Sequence, residues 1–328
     1  MVRLALYNTI SRRNLRRVRD SYKLVICAAG TDRRAYESIR MTFGQIAIDS
    51  SLILEFSERT KSVKTAQDLT RYREYEHLLP GATALECSLM DRNCAMRRVS
   101  QVLEHLGPDD SVLVDLSVFT KPYLFALLRA LQKVPGLHSV DILYTEPSYY
   151  KKNRTSRWST TKQPYDVIEI PGFAGRSSES NKRLLVMLLG FDGGESRWVY
   201  EDQAPTVTIP VNGFPSYLLY YKDVSMLSNS FLFDEQTVRA NLDFAPAYNP
   251  FGTYNALDAI RKRFPFDQFA MTIAALGPKP MALGAALFAL HYADVRVVYP
   301  LPSRYAMKIG DDVGRTWLYR VPIAPGPR

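Results

Sequence analysis

Hydrophobic residues along this chain gather into short unbroken runs separated by longer segments of helical character, and the same succession occurs twice. From Asp110 to Lys151 the sequence reads DSVLVDLSVFTKPYLFALLRALQKVPGLHSVDILYTEPSYYK, and from Asp267 to Lys308 it reads DQFAMTIAALGPKPMALGAALFALHYADVRVVYPLPSRYAMK. Each opens on an apolar run, Val112 to Leu116 or Phe269 to Ala274, and turns through Lys-Pro into an Ala/Leu-rich helix. Each returns through a β-rich run, Val140 to Tyr144 or Val295 to Tyr299, that ends in a tyrosine and a Pro-Ser loop. Lys121 matches Lys279, Pro122 matches Pro280, Tyr144 matches Tyr299, Pro147 matches Pro302, Ser148 matches Ser303 and Tyr150 matches Tyr305.

Upstream, LVICAAG ending at Gly30 corresponds to LVMLLG ending at Gly190, so each half opens on a buried strand that stops at glycine. A supersecondary unit repeated at nearly constant spacing defines the architecture before any motif is considered. Continuous apolar runs alternating with helices predict parallel strands covered on both faces, an α/β protein of two Rossmann-like, doubly wound lobes related by internal duplication. The expected divisions are a basic N-terminal segment over 1–21, lobe one over 22–150, a basic polar linker over 151–182, lobe two over 183–308 and a C-terminal tail over 309–328.

Composition agrees with two ordinary cores: the 328 residues are 46% hydrophobic and 12% aromatic, enough for two domains of about 100 to 200 residues. The longest nearly apolar stretch, Pro280 to Ala293, falls short of the roughly 20 residues that cross a bilayer. The arginines between Arg12 and Arg19 adjoin no apolar run with a cleavage site, so no secretory signal is expected and the chain reads as cytoplasmic. Cys27, Cys87 and Cys94 lie far apart without a CxxC pair, and four scattered histidines form no ligand set, so neither a disulfide frame nor a metal site is expected.

No GxSxG, GxGxxG or GxxxxGK[ST] signature is present, and no catalytic residue or cofactor is assigned. The net charge of +9 favours an anionic partner. Much of the excess lies in Arg12 to Arg19 and in Lys151, Lys152, Arg154 and Arg157, segments suited to nucleic acid or to a separate effector protein.

Ligands of doubly wound sheets bind beyond the carboxyl ends of the strands, so the loops there are the candidate site. Ser117, Thr120 and Lys121 in lobe one and Gly277 and Lys279 in lobe two precede helices that begin on Lys-Pro. Proline at a helix start is preorganised, and the free N–H groups there favour an anion. Ser117 or Thr120 is equally suited to capping the helix. Gly30, Thr31 and Arg33 after the first strand, with Gly190 at the equivalent place, allow close backbone approach and pairing with phosphate, while sharp turns account for the same glycines. In lobe two, loops carrying Asn212, Asn229, Tyr248 and Asn249 combine amides with aromatic rings, a set suited to reading a base or to forming turns.

The buried strand, the small or hydroxyl residues and the Lys-Pro helix start resemble the CRISPR-associated Rossmann-fold sensor domains known as CARF domains. The duplication is similar to SAVED domains, which look like two fused CARF units. The resemblance implies a cyclic-oligonucleotide ligand held in a cleft between paired lobes, contacted through Ser117, Thr120, Lys121, Gly277, Lys279, Gly30, Thr31 and Gly190. It further implies a sensor in a prokaryotic antiviral defence system, although no nuclease, protease or membrane effector pattern accompanies the lobes. Two other readings stay open: a phosphodiesterase that degrades such a ligand, and a structural subunit of a nucleic-acid or defence complex whose ligand loops have degenerated.

Overall fold

The computed structural model describes residues 6–7, 19–42, 46–57, 65–79, 81–88, 94–150, 165–176, 182–302 and 313–323. Most of both basic runs, and Ser303 and Tyr305 of the repeat, lie outside the described residues. The chain begins with β1 (Leu6–Tyr7), β2 (Ser21–Ala28), α1 (Glu37–Thr42), β3 (Ala47–Phe56), α2 (Ala66–Tyr72), α3 (Tyr75–Leu78), β4 (Thr83–Cys87), α4 (Cys94–Leu103), β5 (Val112–Asp115), α5 (Lys121–Gln132) and β6 (Ser139–Pro147). It continues with β7 (Tyr165–Ala174), β8 (Arg183–Leu188), α6 (Gly193–Gln203), β9 (Val207–Gly213), α7 (Tyr221–Ser228), a 3-10 turn (Ser230–Phe233), α8 (Gln236–Ala240) and β10 (Asp243–Ala245). The last elements are α9 (Pro250–Arg263), β11 (Ala270–Ala275), α10 (Lys279–His291), β12 (Arg296–Pro302) and β13 (Val313–Pro322).

Two compact units result, one from Met1–Lys151 with Met307–Ala324 and the other from Lys152–Ala306 with Pro325–Arg328. The first holds a seven-stranded sheet in the order β1-β13-β6-β5-β2-β3-β4, and the second a six-stranded sheet in the order β10-β9-β8-β11-β12-β7. Read from the opposite end, β4-β3-β2-β5-β6 and β10-β9-β8-β11-β12 are the same order, and all of these neighbours pair in parallel. The α/β architecture of two Rossmann-like lobes is therefore present. Its cause is visible along β5, buried at every position, and along β8, buried at all but Arg183: such strands are covered on both faces, as helical crossovers require.

The polar linker and the tail differ from expectation. Residues Tyr165–Ala174, inside the presumed linker, form β7 and pair antiparallel with β12; Val313–Pro322, inside the presumed tail, form β13 and pair antiparallel with β6. The DVIEI of β7 alternates as a half-buried antiparallel strand does, while the RTWLYRV of β13 is buried over residues 316–319 but bounded by Arg315 and Arg320; a search for long, fully apolar runs passes over both. The basic N-terminal segment likewise supplies β1, paired with β13. The strand that directly follows β6 in the chain thus belongs to the second sheet, and the strand that directly follows β12 belongs to the first.

Two buried carboxylates on β6 fasten β13. Asp141 accepts from Arg320 Nε at 2.8 Å and Nη2 at 2.9 Å and from the Tyr22 hydroxyl at 2.9 Å, while Glu146 accepts from Arg315 Nε at 2.8 Å and Trp317 Nε1 at 3.3 Å. Burial, followed by the charge and hydrogen bond of Asp141, pushes the Tyr22 phenol well above its ordinary value.

In the second unit α9 crosses α10 at Gly284, where a Cβ would lie 2.2 Å from the Pro250 carbonyl oxygen and 2.7 Å from Thr253 Cβ. Gly284→Ala gains about 1 kcal/mol of helix propensity but overpacks a backbone contact at a cost of up to about 3 kcal/mol. The expected net loss of about 2 kcal/mol is read as a lowered urea midpoint, and an unchanged midpoint contradicts the close crossing.

Candidate functional site

In the first sheet the chain leaves β2 toward β3 and β4, then returns to place β5 on the other side of β2. The reversal of strand order between β2 and β5 is the place where a doubly wound sheet leaves a crevice at its carboxyl edge. Three loops meet that edge, after β2, β5 and β6.

Asp115, the last residue of β5, organises them. Its side chain is 3% exposed. One carboxylate oxygen accepts from the Ser117 N–H at 2.8 Å and from the Ser117 hydroxyl at 2.5 Å; the other accepts a short hydrogen bond from the Ser38 hydroxyl, on the helix that follows the β2 loop. Ser117 Oγ accepts in turn from the Thr145 N–H at 2.9 Å, and the Thr145 hydroxyl meets that of Thr316 on β13 at 2.9 Å. Backbone and hydroxyl donors satisfy the buried carboxylate, and through it and Ser117 the β5 loop is joined to the helix after the β2 loop and to strand β6.

Gly30 and Thr31 are buried in the β2 loop, and Tyr36, at φ +64°, turns the chain from that loop into α1. Arg33, the arginine expected to face a ligand, is exposed, whereas its neighbour Arg34 is 5% exposed. Arg34 donates from Nε and Nη2 to the two Asp32 oxygens at 3.1 and 2.7 Å, and its main-chain N–H donates to Asp32 at 2.9 Å. Burial disfavours the guanidinium, but the Asp32 hydrogen bonds and charge outweigh it and hold its pKa above the ordinary value. That an arginine of this loop could pair was legible; which of the adjacent arginines turned inward was not.

Thr120 is the N-cap of α5 in an extended conformation, 8% exposed, and its side chain makes no capping hydrogen bond. Lys121 is the first helical residue and is partly exposed. Ser117, fully buried, is committed to Asp115 and Thr145, so it shapes the loop from within.

The second unit repeats the frame with different chemistry. Tyr144 and Tyr299 correspond, β5 pairs with β6 as Asp115↔Leu143, and β11 pairs with β12 as Ala274↔Val298, so Ala274 stands where Asp115 does. There, backbone meets backbone. A Cβ on Gly190 would lie 2.5 Å from the Leu276 carbonyl oxygen, and one on Gly277 would lie 3.2 Å from that of Leu189. The Gly190 carbonyl accepts from Ser225 Oγ at 3.1 Å and Asn229 Nδ2 at 2.9 Å.

Asn249 is the N-cap of α9, accepting from the Phe251 and Gly252 N–H groups at 3.0 and 3.3 Å. Asn212 and Asn229 are fully buried with their amides donating to backbone carbonyls, and their Oδ1 atoms have no hydrogen-bond partner. Lys279 begins α10 just as Lys121 begins α5. Among the described residues no cluster of His, Cys, Asp and Glu is arranged to hold a metal, and no helix is long and apolar enough to cross a membrane.

No family model and no curated protein matches the chain. Among solved structures it is similar to a Type III CRISPR defence DNA nuclease activated by cyclic oligoadenylate, with 11% identity over 84% of this chain and a TM-score of 0.48. The chain spans 65% of that nuclease's length. It also matches the cytoplasmic domain of a prokaryotic cation chloride cotransporter, at 6% identity over 88% of this chain and 98% of the other with a TM-score of 0.25. A third match is a UDP-N-acetylglucosamine 2-epimerase, at 12% identity over 69% of each chain with a TM-score of 0.23.

Proposed function

We propose that the chain binds a nucleotide through its phosphate at the carboxyl edge of the first unit's sheet, and that this ligand is a cyclic oligonucleotide whose binding serves as a signal in prokaryotic antiviral defence. The observation that carries the reading is the Asp115 network. It ties the β5 loop to the helix that follows the β2 loop and to strand β6 at the reversal of strand order, beside a lysine at the first position of a twelve-residue helix. Loops fixed in advance bind with little ordering cost. A lysine beside the free N–H groups of a helix start attracts phosphate, and the basic net charge of +9 favours encounter with such a ligand. The resemblance of the Lys-Pro loops to CARF sensor domains selects cyclic oligonucleotides as the first class to test.

Thermal melting is measured with cyclic di-, tri-, tetra- and hexa-nucleotides, NAD, ATP and short RNA and DNA. A ligand at about 100 times its Kd adds roughly 2.7 kcal/mol and raises the melting temperature visibly. Selective stabilisation by one cyclic nucleotide is expected, with Lys121→Ala weakening it by about tenfold, the scale of one charge-assisted phosphate contact. Retention of full affinity in Lys121→Ala refutes the placement. Silence toward every small ligand refutes the reading and favours the structural-subunit alternative, while release of a linear product adds the phosphodiesterase activity.

A further inference from the structure

The loop after β2 has a direct counterpart after β8, and comparing the two separates what the turn needs from what the first unit adds. With Gly30 equated to Gly190, Asp32 corresponds to Asp192 and Arg34 to Gly194. Both aspartates make the same turn: Asp32 accepts from the N–H of Arg34 at 2.9 Å, and Asp192 from that of Gly194 at 3.1 Å. The turn therefore forms without an arginine. Arg34 is the first unit's own addition, and it is expensive, because a guanidinium only 5% exposed must shed most of its water. Asp32 engages Nε and Nη2, while Nη1 makes no hydrogen bond among the described residues.

We infer that Arg34 is the residue that grips the ligand's phosphate in the first unit, and that Asp32 holds its guanidinium in place and competes with the ligand for it. This assignment rests on the proposed function and adds to it a specificity-determining residue. A guanidinium presents paired donors that match two oxygens of a phosphate as well as two of a carboxylate. The carboxylate of Asp32 thus stands where part of an anionic ligand would otherwise bind, and it keeps the side chain extended and oriented. The pair is neutral, so the site is poised without a standing excess of buried charge. Lysine at this position would lack the fork, and Arg33 is exposed.

Asp32→Asn separates the two roles of the aspartate, since the amide oxygen can still accept from the Arg34 N–H while the competing charge is gone. Calorimetric titrations of the full chain use the cyclic di-, tri-, tetra- and hexa-adenylates and, free of any base, inorganic pyrophosphate. Expected are a Kd about tenfold tighter in Asp32→Asn and about tenfold weaker in Arg34→Gln, the change of one charge-assisted contact. The double variant Asp32→Asn with Arg34→Gln, a neutral pair that leaves no unpaired charge in the site and so guards against misfolding, should stay folded and bind like Arg34→Gln.

If both single variants stay within about twofold of the parent while Lys121→Ala loses affinity, the Arg34 assignment falls and the nucleotide site stands. If Asp32→Asn binds more weakly than the parent, the competition is refuted. If pyrophosphate binding follows Asp32 and Arg34 but no cyclic nucleotide binds, the anion site stands and the nucleotide reading falls. If nothing binds to parent or variants, both fall.

Discussion

Deleting residues 303–328 is expected to unfold the first unit and leave the second intact. The deletion removes β13, whose pairing with β6 runs from Val313 to Pro322, together with the buried side chains of Trp317, Leu318, Tyr319 and Val321. It strips Asp141 of Arg320 and Glu146 of Arg315 and Trp317. A buried charge deprived of its partner costs about 3 to 5 kcal/mol, and two of these, with a lost strand besides, are comparable to the roughly 5 to 15 kcal/mol that holds a typical domain. The second sheet loses none of its six strands. Hydrogen exchange resolves the outcome: amides of β2 and β5 should lose protection while those of β8 and β11 keep it. Equal protection of all four strands in the shortened chain contradicts the account of β13.

Alkali should also melt the first unit ahead of the second. Tyr22, Tyr36 and Tyr319 are at most 1% exposed, and burial is the largest cause holding each phenol well above its ordinary pKa of 10.0. Titratable neighbours add to it, Asp141 for Tyr22, Cys27 for Tyr36, and Tyr144 followed by Glu146 for Tyr319. Once the pH passes the ordinary value, the unfolded chain releases these protons while the native state retains them, so stability falls as pH rises. Three such groups lower stability by about 4 kcal/mol per pH unit above 10. In the second unit Tyr292 is raised only to about 12 and is partly exposed, and the loss there is shallower. Beyond the smooth titration of the exposed tyrosines, tyrosinate absorbance should therefore show a further cooperative step that coincides with loss of the first unit's exchange protection. Smooth titration near pH 10 with the fold retained argues against sealed phenols.

The parallel core of each unit was legible because its strands are apolar without interruption and its helices start on Lys-Pro twice over. β7 and β13 were not, since charged residues interrupt each and each owes its position to a partner strand distant in the chain: Asp141 and Glu146 attract arginines more than 160 residues away. The site was legible as a set of loops, but not the role of each side chain. Ser117 carries the hydroxyl that suits a ligand contact, yet the aspartate two residues earlier draws it inward. Asn249 carries an amide that suits a base, yet the helix beginning at Pro250 needs a cap. Nothing in a run of two arginines says which will find Asp32, because both lie within reach of it and only the backbone turn decides.

The strand that completes the first sheet is encoded beyond the whole of the second unit. On the ribosome the first unit's parallel strands therefore emerge early but wait with one flank open, while the second unit, whose strands are contiguous from β7 to β12, closes as soon as it is made. The usual order, in which the earlier domain finishes first, is inverted here. Maturation of the proposed binding site, tied through Thr145 to Thr316, therefore follows synthesis of the second unit, and a nascent chain that has not reached β13 is left without that tie.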